Sequence, residues 1–186
     1  MAGPVAAVRD GGVLSGLNAA ELDACESLLS VLMQDVGLDI AAIFAGLRKG
    51  QTLVQSLGLP DQTVDLLYAQ ALARFGAGDH TAAMGLFQAL SFLAPDVRDH
   101  WLGLGICGRV LDKPDLARVA FETAVALAPQ TAAPRFHLCE VLCQLGNWSE
   151  AAVQARAFAD AATAPEKASL SPEMKRLAAL IELRGG

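Results

Sequence analysis

The stretch Arg98–Thr131, RDHWLGLGICGRVLDKPDLARVAFETAVALAPQT, decides the fold. It reads as two amphipathic helices joined by a short turn. On the first, Trp101, Leu104 and Gly105 are followed by apolar Ile106 and Cys107. On the second, Ala117, Phe121 and Ala124 recur at helical spacing, and Pro129 closes the unit. Small residues at Gly105, Ala117 and Ala124 let two helix backbones approach closely, while Trp101, Leu104 and Phe121 fill the space around them.

These typed positions follow the W-x2-L-G … A-x3-F … P pattern of the tetratricopeptide repeat, a helix pair of about 34 residues. Shifting the pattern by its own period finds it again. Ala117 maps onto Ala83 and Ala151, Pro129 onto Pro95, and Phe121 onto Phe87 and Ala155. The interhelix turns Gly78-Asp79, Asp112-Lys113 and Gly146-Asn147 keep the same spacing. The expectation is three tandem repeats over residues 64–97, 98–131 and 132–165. The outer two are less regular: Leu67 and Arg135 stand where Trp101 does, and Cys139 replaces Gly105. End units of a solenoid have one neighbour each and drift accordingly.

Bulk properties agree with that reading. The chain has 186 residues, enough for one sizeable core, with 53% hydrophobic residues but only 5% aromatic ones. Abundant alanine with few aromatics suits closely stacked helices better than a sheet. The formal net charge is −6 and no basic block occurs, which argues against nucleic acid as a partner. Cys25, Cys107, Cys139 and Cys143 show no framework spacing and read as reduced, packed thiols of a cytosolic protein. The opening MAGPVAAVRDGGVLSG lacks a positive start and a continuous apolar run, so it is not read as a signal peptide. No stretch approaches the roughly 18–20 apolar residues of a membrane span.

The expected layout is therefore all-α: an α-solenoid of three repeats with N-terminal helices and a C-terminal capping helix. Residues 1–16 read as a disordered tail, 17–63 as a helical segment, and 166–186 as the cap. Asn18 offers an N-cap, with Glu21 in capping-box position. Leu22, Cys25, Leu29, Leu32 and Val36 form one apolar stripe, and Gly37 stops the helix. That stripe has two readings, a helix folded onto the first repeat or a contact between two copies. At the other end Ser171 reads as a cap, Pro172 as the first helical residue and Gly185-Gly186 as the stop. Met174, Leu177, Ala178 and Ile181 then cover the last repeat.

In stacked helix pairs the first helix of each pair lines the concave wall. The period assigns to that wall Asp65, Tyr68, Leu72 and Phe75, then Asp99, Leu102, Ile106 and Arg109, then Phe136, Glu140 and Cys143. Repeats that clamp a charged peptide end would place several Lys, Arg or Asn here. This wall instead carries Tyr68, Leu72, Phe75, Leu102, Ile106 and Phe136, with Arg109 as its obvious cation. A solenoid core is already filled by Trp101, Leu104, Ala117, Phe121 and Ala124, so the additional apolar set points to a groove for an extended peptide.

Residues that hint at other chemistry have plainer readings. Gly103-Leu-Gly105-Ile-Cys-Gly108 spells G-x-G-x-x-G, but a dinucleotide fingerprint needs a strand before it, and these glycines fall inside a helix. His137, Cys139 and Cys143 lack a nearby fourth ligand for a structural zinc. His80 and His100 sit at helix starts, and Trp148 opens a helix where an aromatic packs on the turn. No catalytic constellation is expected, hence no enzyme, no metal and no cofactor.

The run from Leu47 to Pro129 resembles the tetratricopeptide chaperones of bacterial type III secretion, the low-calcium-response or SycD type. The likeness rests on Gly50-Gln-Thr-Leu53, Leu67-Tyr68, Phe87-Gln-Ala-Leu90, Trp101-Leu-Gly-Leu-Gly105 and Pro134-Arg-Phe-His137, and it covers residues 46–157. The chain departs from the pattern at Gln51, where a second glycine is common. The resemblance implies a cytoplasmic bacterial chaperone that holds an extended segment of a hydrophobic translocator and keeps it soluble and competent for export. It places Tyr68, Leu72, Phe75, Leu102, Ile106 and Phe136 in the client pockets. It also implies a homodimer through the N-terminal helices, with Leu22, Cys25, Leu29, Leu32 and Val36 at the contact. The alternative is a general scaffold or regulatory adaptor joining two folded proteins.

Overall fold

The structure, a computed structural model, describes residues 18–32 and 38–185. The expected tail 1–16, the Gly37 stop, Val36 and the side chain of Leu32 lie outside what is described. The described residues are all-α. In chain order the helices are α1 (Ala19–Leu32), α2 (Ile40–Arg48), α3 (Leu53–Ser56), α4 (Thr63–Gly76), α5 (His80–Leu93), α6 (Arg98–Val110), α7 (Pro114–Leu127), α8 (Ala132–Gln144), α9 (Trp148–Ala161) and α10 (Ala164–Arg184). They fall into two compact units, Met1–Leu66 with Phe92–Asp96 and Leu67–Ser91 with Val97–Gly186.

In the first unit, local polar signals set the helix starts. The Asn18 side chain accepts from the backbone N–H of Ala20 and Glu21, both at 3.0 Å, and the Asn18 N–H donates to Glu21 Oε2 at 2.8 Å. This is the reciprocal box expected at that position. Thr52 and Gln55 repeat it at α3, and Asp39 caps α2 through the Ala42 N–H. Arg48 on α2 donates to Asp23 at 2.7 Å and also to Glu26, both on α1. Ile40, Phe44, Leu53 and Val54 are buried.

The second unit is a run of helix pairs whose turns share one geometry. Gly78, Asp112 and Gly146 take left-handed φ of 81°, 53° and 76°. At each turn the N–H of that residue reaches back three residues, and the next N–H reaches back five: Asp79 to Arg74, Lys113 to Gly108 and Asn147 to Leu142, at 2.8–3.0 Å. These are Schellman caps, which satisfy the last carbonyls of a helix and reverse the chain in two residues. Glycine is the usual occupant of the left-handed position. Asp112 holds it at a backbone cost.

The three glycines of α6 are seats for neighbours. A Cβ at Gly103 would lie 2.3 Å from the Phe87 ring of α5, and one at Gly105 would lie 2.4 Å from the Phe121 ring of α7. A Cβ at Gly108 would come within 3.2 Å of the Ala117 backbone. One helix therefore receives a ring from each side and a close backbone, which accounts for the G-x-G-x-x-G spelling as packing. The core continues through Phe121, Leu138, Cys139, Leu142, Ala151 and Phe158. Side-chain bonds also join successive pairs: Arg118, held within α7 by Glu122 at 2.8 Å, donates to Glu150 at 3.3 Å, and Gln144 donates to Asp112 at 3.4 Å.

The C-terminal helix differs from its sequence reading. It begins at Ala164, not after Ser171, and Pro172 lies inside it. An interior proline removes one backbone bond, but the helix-favouring run before it carries the helix through. Pro165, in the first turn, is the proline that fits a helix start. Met174 and Ile181 are each 7% exposed in one cluster with α8 and α9 residues, and Leu177 packs at its edge.

Two predictions follow from the turns and the buried thiols. Asp112→Gly should raise stability by about 0.5–1 kcal/mol, since the strained φ is relieved and only a long, exposed bond from Gln144 is lost. Gly146→Ala should lower it by about 1 kcal/mol; denaturant midpoints measure both. Burial pushes the Cys139 thiol up to about 12 and Cys107 up to about 11, and raises Cys143. Because the thiolate is the nucleophile, the native chain at pH 8 should be alkylated at half-buried Cys25 alone, and at all four cysteines in denaturant; mass spectrometry reads the count.

Candidate functional site

The first helices of the pairs, α4, α6 and α8, carry the residues assigned to the inward wall. Leu72 is 49% exposed, while Tyr68, Phe75, Leu102, Ile106 and Arg109 are half-buried. The Tyr68 ring meets Phe87 edge-on at 6.1 Å and lies 5.7 Å from the buried His100 ring, so neighbours on α5 and α6 fix it. The Phe75 ring meets the His80 ring at 4.8 Å in a tilted arrangement, across the α4–α5 turn. Leu102 and Ile106 have one side against the core cluster and the other open. On the first two pairs, then, the wall is apolar, partly accessible and held by aromatic contacts.

The third pair is different. Phe136, expected on the same wall, is 5% exposed and packs on Phe158 at 6.1 Å and His137 at 5.2 Å. Cys143 is 8% exposed. The physical reason is α10, which packs on both α8 and α9 and makes α8 an interior helix. Its ring is therefore part of the core behind the wall.

In place of an apolar surface, the wall between α6 and α8 carries a polar cluster. Arg109 Nη1 contacts Glu140 Oε2 and lies 2.9 Å from His137 Nδ1. His137 Nδ1 is in turn 2.8 Å from the same Glu140 oxygen. Phe121 stacks on the imidazole at 5.4 Å. The side chains of Arg109, Glu140 and His137 keep 32%, 20% and 24% exposure. The sequence reading placed Arg109 and Glu140 on the wall but left His137 out. A signal for the pairing exists in the spacing: residues 109 and 140, 112 and 144, and 118 and 150 all join a little short of one period apart.

In α1 the stripe is less one-sided than its spacing suggests. Leu22 and Cys25 are half-buried and Leu29 is just exposed, but Leu28 and Val31, outside the stripe, are more open than Leu29, at 59% and 65% exposure. An open cleft of about 430 Å³ between α9 and α10, walled by Trp148 and Ile181, marks the seam of the end cap and is separate from the wall. Among the described residues no group of three or more His, Cys, Asp or Glu could hold a metal, and no helix is long and apolar enough to cross a membrane.

Comparison with known proteins gives one consistent set of relatives. No family model matches the chain. The low calcium response locus protein H of Yersinia pestis and of Yersinia pseudotuberculosis is 29% identical over 105 residues, 56% of this chain. The match spans 62% of those relatives' length. A type III secretion complex from Aeromonas hydrophila superposes with a TM-score of 0.69 at 29% identity, covering 78% of this chain and 97% of that one. The Yersinia enterocolitica type III secretion chaperone SycD, in complex with a peptide of the translocator YopD, gives 0.63 at 26% identity over 68% of this chain and 98% of that one. SycD has also been crystallised as an alternative dimer. By sequence and by fold, the chain is similar to the tetratricopeptide-like type III secretion chaperones of the low calcium response H and SycD type.

Proposed function

We propose that this protein is a holding chaperone of a bacterial type III secretion system. Its wall of first helices covers an extended apolar segment of a translocator in the cytoplasm and keeps that protein soluble and competent for export. The observation that carries the reading is the partly open apolar surface of Tyr68, Leu72, Phe75, Leu102 and Ile106, on a fold that SycD uses with a translocator peptide. The frame of three repeats, 64–97, 98–131 and 132–165, supplies the wall, and Arg109 and Phe136 complete it, Phe136 from behind.

The energetics suit carriage without chemistry. Each aliphatic anchor that leaves water contributes about 1.5–3 kcal/mol, and ordering a flexible segment offsets part of that sum. A few anchors give reversible affinity, so the client can be passed on with no covalent step or nucleotide. Covering only part of a membrane-active chain is enough to suppress its self-association. The chain also works as a dimer in this reading, with α1 supplying the contact through Leu28, Leu29 and Val31, as well as Leu22 and Cys25 of the expected stripe.

Leu72→Asp places a charge on the exposed apolar residue of the wall. It should cut co-purification of a co-expressed translocator by more than about tenfold and leave the helical circular dichroism unchanged. Phe136→Ala should instead destabilise the fold by about 3–5 kcal/mol. Retained capture by the Leu72 variant would refute the wall as the client site. For the dimer, Leu28→Asp with Val31→Asp should convert the sedimenting species to monomer while the melting curve of the helix pairs stays in place; an unchanged mass would exclude α1 as the contact.

A further inference from the structure

The polar cluster on the wall has unused recognition capacity. The Arg109 guanidinium carries five N–H donors in a planar fork, and both of its contacts, to Glu140 Oε2 and His137 Nδ1, use Nη1. Among the described residues Nε and Nη2 have no partner, and the side chain keeps 32% exposure. The Nε–Nη2 edge is a bidentate seat for a carboxylate. Phe121 and Phe136 hold the imidazole from two directions, so its Nδ1 is aimed at the pair. The cluster starts on α6, one turn beyond Ile106, and crosses to His137 and Glu140 on α8.

We infer that Arg109, His137 and Glu140 form a subsite for an acidic side chain of the bound segment, placed next to its apolar anchors. The inference rests on the groove reading above and names one chemical feature of the client. Glu140 holds Arg109 by Nη1 and leaves the Nε–Nη2 edge of the partly exposed side chain for the client. The charges that face His137 are Arg109 from α6 and Glu140 from its own helix, while α7 presents the Phe121 ring. A client carboxylate seated on the free edge shares the guanidinium with Glu140 and leaves the Nη1 contacts in place.

The test uses the full chain and synthetic extended peptides with fixed aliphatic anchors, in which each non-anchor position in turn carries Asp or Asn. Binding is followed by calorimetry. The expected result is one position at which Asp binds about three- to tenfold more tightly than Asn, since the seat is partly solvated. Arg109→Gln should erase that preference, and Arg109→Lys should keep only part of it. Equal binding of Asp and Asn peptides at every position, or a ratio that survives Arg109→Gln, overturns the subsite and leaves the groove standing. If neither peptide binds, the groove reading falls as well.

Discussion

The close approach of α6 to its neighbours is the constraint on which the second unit depends. Two helices pack at the distance their contact residues allow, and here those residues are Gly105, Gly108 and Ala117, with the Phe121 ring set directly on Gly105. On the opposite side Gly103 receives the Phe87 ring from the preceding pair. A single helix thus fixes both the contact within its own pair and the contact to the pair before it. Larger residues at these positions would change the spacing of the stack and with it the separation of α4, α6 and α8. The wall is a consequence of that spacing.

The same packing determines where the wall can stay open. A helix between two neighbours buries one broad stripe and leaves the remainder to solvent, as α4 does with Leu72 and α6 with Arg109. A helix with a further layer over it has little free surface. The end cap adds that layer to α8, which is why eight of its thirteen residues are buried and why its aromatic side chain sits behind the wall. Capping is what a solenoid end requires for solubility, and it leaves the partly open apolar residues of the assigned wall on the first two pairs. The polar cluster of Arg109, Glu140 and His137 joins α6 to α8 beside them.

Much of this was legible in the sequence for a definite reason. The 34-residue spacing repeats the chemistry of each turn, so Gly78, Asp112 and Gly146 announce three equivalent caps, and small residues at fixed offsets announce close contacts. Capping-box residues such as Asn18 and Glu21 signal through bonds only three residues long. The failures came where the deciding contact was remote. Ser171-Pro172 offers a good helix start, yet Thr163-Ala-Pro165 offers one as well, and only the packing of α10 on α8 and α9 favours the longer helix. Phe136 has the spacing of a wall residue and lost that place to a helix that local periodicity cannot see. His137 reads beside Cys139 and Cys143 in the sequence, and the contact that matters, Arg109 on α6, stands one pair away. In α1 nearly every second residue is apolar or small, so no single stripe is dictated, and Leu28 and Val31 became the open ones.

In the proposed role a groove for a greasy client faces a conflict: the features that attract the client also favour closing the groove on itself. Half-buried rings with fixed partners resolve part of it. Tyr68 cannot collapse across the wall, because Phe87 and His100 already hold its ring, and Phe75 is held by His80 in the same way. Such side chains keep apolar area available at little further entropic cost, which is what preorganised binding requires. A charged cluster between α6 and α8 resolves the rest. Arg109 and Glu140 join α6 to α8 while remaining partly hydrated, and an ion pair of that kind resists burial by a purely apolar neighbour. The wall is thereby prevented from zipping shut at its covered end, and an unfolded segment that brings its own polar group is the partner best able to lie there.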